Sequence, residues 1–431
     1  MNIIVCCDNN YGIGYCNNIP WDYTLDKLFF YDKTIGNVVI MGNNTYKSLG
    51  SELKNRVNII ISNSNSLENG INVAKEYNLP IFIIGGEMIY TTILKSYASD
   101  ISNVYVTKLN KTYICDKFYP INLHNNLNFN KQIILTTNDA EFIHYSKSTD
   151  NISERHYQEL IYLNILKKTL SSNNFIKTRN GFVYSLFGDY MEFNLNNNIF
   201  PILTTKKIVI KNIFEELMFF IRGQYNTSIL YNKGVHIWDD NTKNTNGDMG
   251  PMYGYNWRNF GKYNDNKGVD QLQYCMDLLL NDPHNRRIIM TSFDPFSVDK
   301  CVLYPCHGLV IQFYNNDDKI SLHMYQRSAD LFLGLPYNIT SYALLLYLIC
   351  STLTKSSSNR TFIPDRLIIS LGDMHIYEEH IEQVYRQLLR NPYDFPNIYI
   401  NGKNNICEYE MNDIDIINYK HHGFIKAQMI V

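Results

Sequence analysis

Cys306 lies beside His307 in Leu303-Tyr304-Pro305-Cys306-His307, and downstream runs Tyr325-Gln326-Arg327-Ser328-Ala329-Asp330-Leu331-Phe332-Leu333-Gly334-Leu335-Pro336-Tyr337-Asn338. A thiol attacks electron-poor carbon well once its proton is gone. Arg327 offers a guanidinium for an anion, Asp330 a carboxylate, and Asn338 an amide that donates and accepts at once. A lone cysteine-histidine pair is most often inert packing. The whole string supplies a nucleophile, an anion anchor and a two-way hydrogen-bonding edge.

The first third holds a second constellation. Ile19-Pro20-Trp21 precedes Asp26 at the start of a helix that continues into Phe29 and Phe30. Val39-Ile40-Met41-Gly42 is followed by Thr45 and later by Arg56, and Ile83-Ile84-Gly85-Gly86 leads into a helix with Tyr90. Singly these have bland readings: Asp26 as a carboxylate favoured by the helix dipole, Gly85-Gly86 as a tight turn.

These side chains need a frame. Short apolar runs at Ile3–Cys6, Val38–Met41, Asn58–Ile61, Ile81–Ile84 and Val104–Val106 alternate with helical spacing at Leu25–Lys33, Asn43–Leu49 and Glu87–Leu94. That order predicts an α/β domain with a mainly parallel twisted sheet. Gly42 and Gly86 each close a strand and open a helix, where free backbone N–H groups can face an anion. The polar stretch KSTDNISE breaks the pattern and predicts a linker at 148–155, dividing a domain at 1–147 from one at 156–431. In the second, Tyr157–Leu170, Lys211–Ile221 and Tyr337–Leu353 read as helices. Arg287–Phe293 and Leu309–Phe313 read as strands, and Asn315–Asp318 as a hairpin turn into Lys319–Met324.

At 431 residues the chain exceeds one ordinary core. A net charge of −2 argues against a broad basic surface for nucleic acid. Nine cysteines, an odd number without C-x-x-C pairs, fit a reduced compartment better than disulfides or zinc, so no metal is expected. The N-terminus lacks a basic stretch and a long apolar core, so it reads as no signal peptide. The longest apolar region, Tyr342 to Cys350, falls far short of the roughly twenty residues a membrane span needs. A soluble cytoplasmic protein without membrane partners is expected.

From about His156 to Val431 the chain resembles thymidylate synthase, most closely in the Cys306 and Arg327–Asn338 strings. The resemblance implies an α+β domain that reductively methylates dUMP, with 5,10-methylenetetrahydrofolate as co-substrate. Cys306 would add to uracil C6 and make C5 nucleophilic, with Arg327 lowering the thiol pKa. Arg179, Arg327 and the pair Arg286-Arg287 would hold the phosphate, the pair reaching the neighbouring subunit's site in a homodimer. One ion pair at about 4 Å is worth roughly 4 kcal/mol at an effective dielectric near 20, before desolvation. Asn338 would read uracil N3–H and O4, the edge that cytosine inverts. His375 and Tyr377 would hold the ribose, Ser328 and Asp330 phosphate or base, and Asp330, Trp238 and Asn241 the folate. Glu216 would order water for proton transfer and Tyr253 help deprotonate C5. The tail Ile425–Val431 would close over the complex. After Arg179 the loop is shorter than usual and less rich in glycine and threonine.

Over roughly residues 1–145 the order and spacing resemble dihydrofolate reductase. Asp26, with Thr107 beside it, would hold the pterin edge and assist protonation, in a pocket of Ile4, Val5, Trp21 and Phe30. Arg56 would pair with the folate α-carboxylate. NADPH would lie across Cys6, Ile13, Gly14, Asn18, Gly42, Thr45, Ser62, Gly85, Gly86 and Tyr90, with the Gly85-Gly86 bond cis. Where relatives often place arginines for the cofactor's 2′-phosphate, Asn43, Asn44 and Glu87 stand. Together the resemblances imply two consecutive steps of the thymidylate cycle on one chain. One alternative is an active synthase with a degenerate reductase. A nucleotide-binding regulator is another, opposed by the set of Cys306, Glu216, Tyr253 and Asn338, since a pure binder needs no nucleophile.

Overall fold

The computed structural model describes residues 1–147, 154–262 and 267–430. The chain forms two compact units, Met1–Asn151 with Tyr385–Arg390, and Ile152–Val384 with Asn391–Val431. Of the linker expected at 148–155, residues 148–153 lie outside the described residues, and Glu154 already opens the helix Glu154–Leu170.

The first unit is built on a seven-stranded sheet in the order Val57–Ile61, Val38–Gly42, Ile81–Gly85, Asn2–Cys7, Asn103–Leu109, Ala140–Ser146, Asn130–Thr136. The first five strands run parallel, and the last two close the sheet antiparallel. Val38–Met41 is buried at every position, as expected of a parallel strand covered on both faces. The Asn130–Thr136 strand escaped sequence reading because its first four residues are all exposed and its register slips between Ile133 and Leu135.

The Asp26 helix, Thr24–Thr34, buries Leu25 and Phe29. Because Val38–Gly42 and Ile81–Gly85 pair in parallel, their ends emerge together. The helices Asn43–Leu49 and Glu87–Ser96 begin there.

The second unit holds a six-stranded mixed sheet: Phe175–Thr178, Gly181–Asn194, Ile363–Tyr377, Lys319–Asp330, Val310–Asn316, Ile289–Met290. Only the Lys319–Asp330 and Ile363–Tyr377 pair is parallel. Strand structure in the predicted Arg287–Phe293 run is confined to Ile289–Met290. After Met290 the backbone of Thr291 pairs with a side chain instead, its N–H donating to Gln271 Oε1 and its carbonyl accepting from Gln271 Nε2.

The helix Gly334–Ser356 packs on the two parallel strands and buries most of its residues. Pro336 sits in its first turn, where a missing N–H costs nothing. The Glu216 helix, Ile210–Ile221, is apolar along most of its length. Among the described residues no helix is long and apolar enough to cross a membrane.

Candidate active sites

Parallel pairing sets Ser328 opposite Asp373 and Asp330 opposite His375, so two strands deliver their polar ends to one place. The hairpin between Thr178 and Gly181 lies alongside, with Val183 opposite Tyr377. A cavity of about 230 Å³ opens there, lined by Thr178, Arg179, Asn180, Val183, Ser328, Asp373, His375 and Tyr377. Arg179, Ser328, His375 and Tyr377 were expected together, and they meet despite the shortened loop. Asn180 takes the Arg179 Nε–H at 3.0 Å, and Asp373 contacts His375 Nδ1 at 2.8 Å. The hydrogen bond with His375 holds the Asp373 carboxyl below its usual value.

Cys306 is stitched to this wall: its carbonyl accepts from the N–H groups of Arg327 at 2.9 Å and Ser328 at 3.4 Å. Arg327 in turn donates to the carbonyls of Pro305 and Tyr304, both at 2.9 Å, and approaches Cys306 Sγ at 3.7 Å. Burial raises the thiol above its ordinary value, and Arg327 opposes that. The expected lowering by Arg327 is therefore present but outweighed: desolvation of a thiolate exceeds the pull of one half-exposed guanidinium.

The Cys306 N–H donates to Tyr253 Oη at 2.9 Å. Tyr253 has φ +42° and ψ −109°, a backbone state L side chains rarely adopt. The next residue explains how it is held. A Cβ on Gly254 would meet Phe220 Cα and O at 2.5 Å, so only glycine lets this loop lie against the Glu216 helix. Phe220 stacks on Tyr253 at 5.0 Å, and Trp238 meets the same ring at 6.1 Å. Trp238 Nε1–H donates to Glu216 Oε1 at 2.7 Å. Burial lifts the Glu216 carboxyl to about 7, with that one hydrogen bond pulling the other way.

Asp330 Oδ1 accepts from the N–H groups of Phe332 (2.9 Å) and Leu333 (3.0 Å), ordering the turn into the Asn338 helix. Asn338 is half-buried in that helix's second turn, and Asn241 half-buried in Asp239–Thr242. Arg286 and Arg287 are exposed and do not line the cavity. The tail is tied down by His380, whose Nε2 lies 2.8 Å from the Gln428 carbonyl; Val431 lies outside the described residues.

In the first unit, Cys6 on Asn2–Cys7 pairs with Thr107 on Asn103–Leu109, and Asp26 faces both. Burial raises Asp26 to about 6, offset partly by hydrogen bonding from Thr107 and Cys6. The buried Thr107 hydroxyl makes no hydrogen bond of normal geometry, so its contact with Asp26 is a loose one. Cys6 also touches Trp21, placing it among the residues expected to line the substrate pocket. Ile4 and Val5 are buried in the same strand, and Phe30 is half-buried on the Asp26 helix. Arg56 is held over the rings of Phe30 (5.8 Å) and Tyr31 (4.9 Å), with its Nε–H on Thr34 Oγ1 at 2.8 Å.

Gly42, Thr45, Gly85, Gly86 and Tyr90 come together. A Cβ on Gly42 would lie 3.9 Å from Gly85 O and Gly86 N, and one on Gly86 would lie 3.2 Å from Thr45 Oγ1. The Gly85-Gly86 bond is cis, and Gly85 has φ +128°. Tyr90 Oη donates to the Ile4 carbonyl at 2.9 Å, tying the cradle to the substrate strand. Ile13 and Gly14 form part of Gly12–Gly14, Asn18 folds back onto Tyr15, and Ser62 meets Ser64 Oγ at 3.0 Å. Glu87 accepts the Phe118 N–H at 3.2 Å.

The two halves match two known families. A dihydrofolate reductase family model covers residues 1–149, and a thymidylate synthase model covers 160–431. A Paramecium tetraurelia bifunctional dihydrofolate reductase-thymidylate synthase is 34% identical, spanning 100% of this chain and 98% of that protein. The Leishmania amazonensis enzyme of that description is 32% identical over 100% and 95%, and an Arabidopsis thaliana one 31% over 100% and 96%. The chain belongs to the bifunctional dihydrofolate reductase–thymidylate synthase family.

As a member of this family it is an enzyme with both domains, and nothing in the matches or the Asp26 pocket favours a degenerate reductase. Sequence reading of this bifunctional enzyme assigned no role to Asp373, Tyr342 or Thr34. Asp373 was detectable: it alternates with His375 and Tyr377 on one strand and so shares their face. Tyr342 and Thr34 carried no local signal, because each works through a partner distant in sequence. Among the described residues no three His, Cys, Asp or Glu side chains gather as a metal site would require.

Proposed function

We propose that the second unit converts dUMP to dTMP through a Cys306 adduct, and that the first reduces the dihydrofolate so produced. The cavity where Arg179, Ser328, His375 and Tyr377 converge, with Cys306 stitched to its wall, carries this reading. The arginine suits a phosphate, and His375 and Tyr377 suit the ribose hydroxyl.

The Cys306 sulfur adds to C6 of the uracil, and the electron pair moves to C5–C4–O4. C5 then attacks the methylene carbon of the ring-opened folate. Asn338 matches N3–H and O4, so the developing charge on O4 meets a donor. Loss of the C5 proton and departure of the folate give an exocyclic methylene. Hydride from the folate completes the methyl group, and the Cys306 sulfur leaves. A Glu216 carboxyl near 7 is partly protonated at neutral pH, so it can return a proton through water to O4 and accept one later. Tyr253, kept neutral by burial, is placed to relay the C5 proton.

In the first unit, bound NADPH supplies a hydride. Gly42 and Gly86 cap the starts of the helices Asn43–Leu49 and Glu87–Ser96, whose free backbone N–H groups suit an anion, which supports that cofactor. Asp26 holds the pterin edge and handles its proton, and Arg56 takes the glutamate carboxylate. NADPH rather than NADH follows the family.

A homodimer through the synthase sheet is part of the proposal. Tyr190, Ser370, Tyr325 and Val310 lie in one row across four strands, away from the Gly334–Ser356 helix, and Tyr190 is 64% exposed. Such a row needs cover, and exposed Arg286 and Arg287 would be free to reach a partner's site. Nine unpaired cysteines support a cytoplasmic home, and the domains are taken as 1–147 and 156–431.

The test supplies dUMP, methylenetetrahydrofolate and NADPH and follows dTMP and tetrahydrofolate separately. Fluorinated dUMP with folate should leave a covalent mass on the peptide containing Cys306. No dTMP and no adduct at saturating substrate overturn the synthase reading, and no NADPH oxidation with dihydrofolate overturns the reductase reading. Sedimentation at micromolar concentration checks the dimer.

A further inference from the structure

His307, next to the nucleophile, has a role in neither site as described so far. Its ring lies on Tyr253 with centroids 4.5 Å apart at 21°, and Tyr253 takes the Cys306 N–H. Its Nδ1 lies 2.8 Å from Tyr342 Oη. Tyr342 is 2% exposed and stands four residues after Asn338, one turn deeper on the same helix face. The backbone is shaped to this contact: a Cβ on Gly308 would lie 2.2 Å from Tyr342 Oη, and Gly308 has φ +61°.

The direction of the hydrogen bond follows from counting donors. Burial keeps the Tyr342 phenol protonated, and His307 Nδ1 is the partner its hydroxyl meets. A buried O–H without an acceptor loses the desolvation cost of that group outright. The phenol therefore donates, and Nδ1 accepts. Burial also holds His307 well below its usual range, near 3, so the ring carries one proton. That proton sits on Nε2, which makes no hydrogen bond to a described residue. We propose that Tyr342 is a positioning residue of the synthase, fixing His307 as the Nε2–H tautomer and so setting the plane of the imidazole behind the Cys306 loop. The ring so fixed also braces the Tyr253 phenol against the Cys306 loop.

This rests on the synthase reading above, and the tests separate the two. In histidine-labelled wild-type enzyme, ¹⁵N resonances assigned with a His307→Gln control should show Nδ1 as the bare, accepting nitrogen and Nε2 as protonated. A ring protonated at Nδ1 overturns the proposal whatever the enzyme's activity. Tyr342→Phe removes only the hydroxyl, and loss of one such hydrogen bond should lower kcat for dTMP about tenfold with KM for dUMP within about threefold. His307 should then populate both tautomers. Reductase turnover of the same chain reports that the variant is folded. In His307→Gln the amide cannot tautomerise, so adding Tyr342→Phe should cost no further activity. Equal losses in both backgrounds mean a structural role only and overturn the assignment. Should Tyr342→Phe not fold, the wild-type tautomer still decides. Wild-type enzyme forming no dTMP refutes the synthase reading, and the tautomer measurement stands apart from it.

Discussion

Asp26 and Glu216 are two carboxyls raised by the same cause in two unrelated pockets. Burial lifts both, Asp26 to about 6 and Glu216 to about 7. The difference lies in what pushes back: Asp26 has Thr107 and Cys6, whereas Glu216 has the Trp238 N–H. The surroundings differ as well. Asp26 faces Cys6, a thiol that burial keeps protonated, while Glu216 is joined to the Cys306 loop through Trp238 and Tyr253. One pocket needs to move a proton; the other must first make a carbon reactive.

The sharpest break in that comparison is Cys306→Ala. It should lower dTMP formation by at least about four orders of magnitude, since no other group can form the adduct, and leave dihydrofolate reduction unchanged. Parallel loss of both activities would mean that the variant misfolds, and survival of dTMP formation would remove the nucleophile from the mechanism.

Next come the carboxyls themselves. Glu216→Gln and Asp26→Asn should each cost roughly 10²–10³-fold in kcat, and each in its own reaction only. The Asp26→Asn deficit should shrink as pH falls, because solvent then protonates the substrate directly. A flat deficit across pH would reduce Asp26 to a binding group. Arg56→Lys should raise KM for dihydrofolate about tenfold with little change in kcat, since an ammonium cannot make the bidentate contact. Steady-state kinetics over a folate series lacking the α-carboxylate checks it: there the substitution should have no effect.

The smallest effect is on stability. Each carboxyl binds more protons folded than unfolded between its ordinary value and its raised one, 3.8 to about 6 for Asp26 and 4.5 to about 7 for Glu216. Stability therefore declines as pH rises through those windows, and the full penalty applies above them. Glu216→Gln should raise the Tm of the synthase transition at pH 8 by about 5 °C and leave it unchanged at pH 4. Calorimetry at the two pH values decides; an equal shift at both would trace the effect to packing.

Much of the site was readable before any fold was known. Cys306, Arg327 and Asn338 fall in two short strings, and Asp26, Gly42 and Gly85-Gly86 fall where runs of apolar residues stop. Such features are local, so spacing reveals them. The Asn130–Thr136 strand was not readable, because exposure on both sides erased its alternation. The Arg287–Phe293 run had strand composition, but only Ile289–Met290 joins the sheet, and Thr291 turns its backbone to Gln271. The effect of Arg327 on Cys306 was read from the sequence without the burial that outweighs it.

The chain's order of residues by itself determined which chemical groups exist and which stand within a turn of each other: the thiol beside an imidazole, the amide at the head of a long helix, glycines where strands end. The tertiary structure alone decided their protonation and their alignment. Values such as those of Glu216 and Cys306 come from desolvation by residues brought from distant positions, and the tautomer of His307 depends on a phenol thirty-five residues away. Desolvation and hydrogen-bond direction depend on enclosure in three dimensions, and no local spacing encodes enclosure.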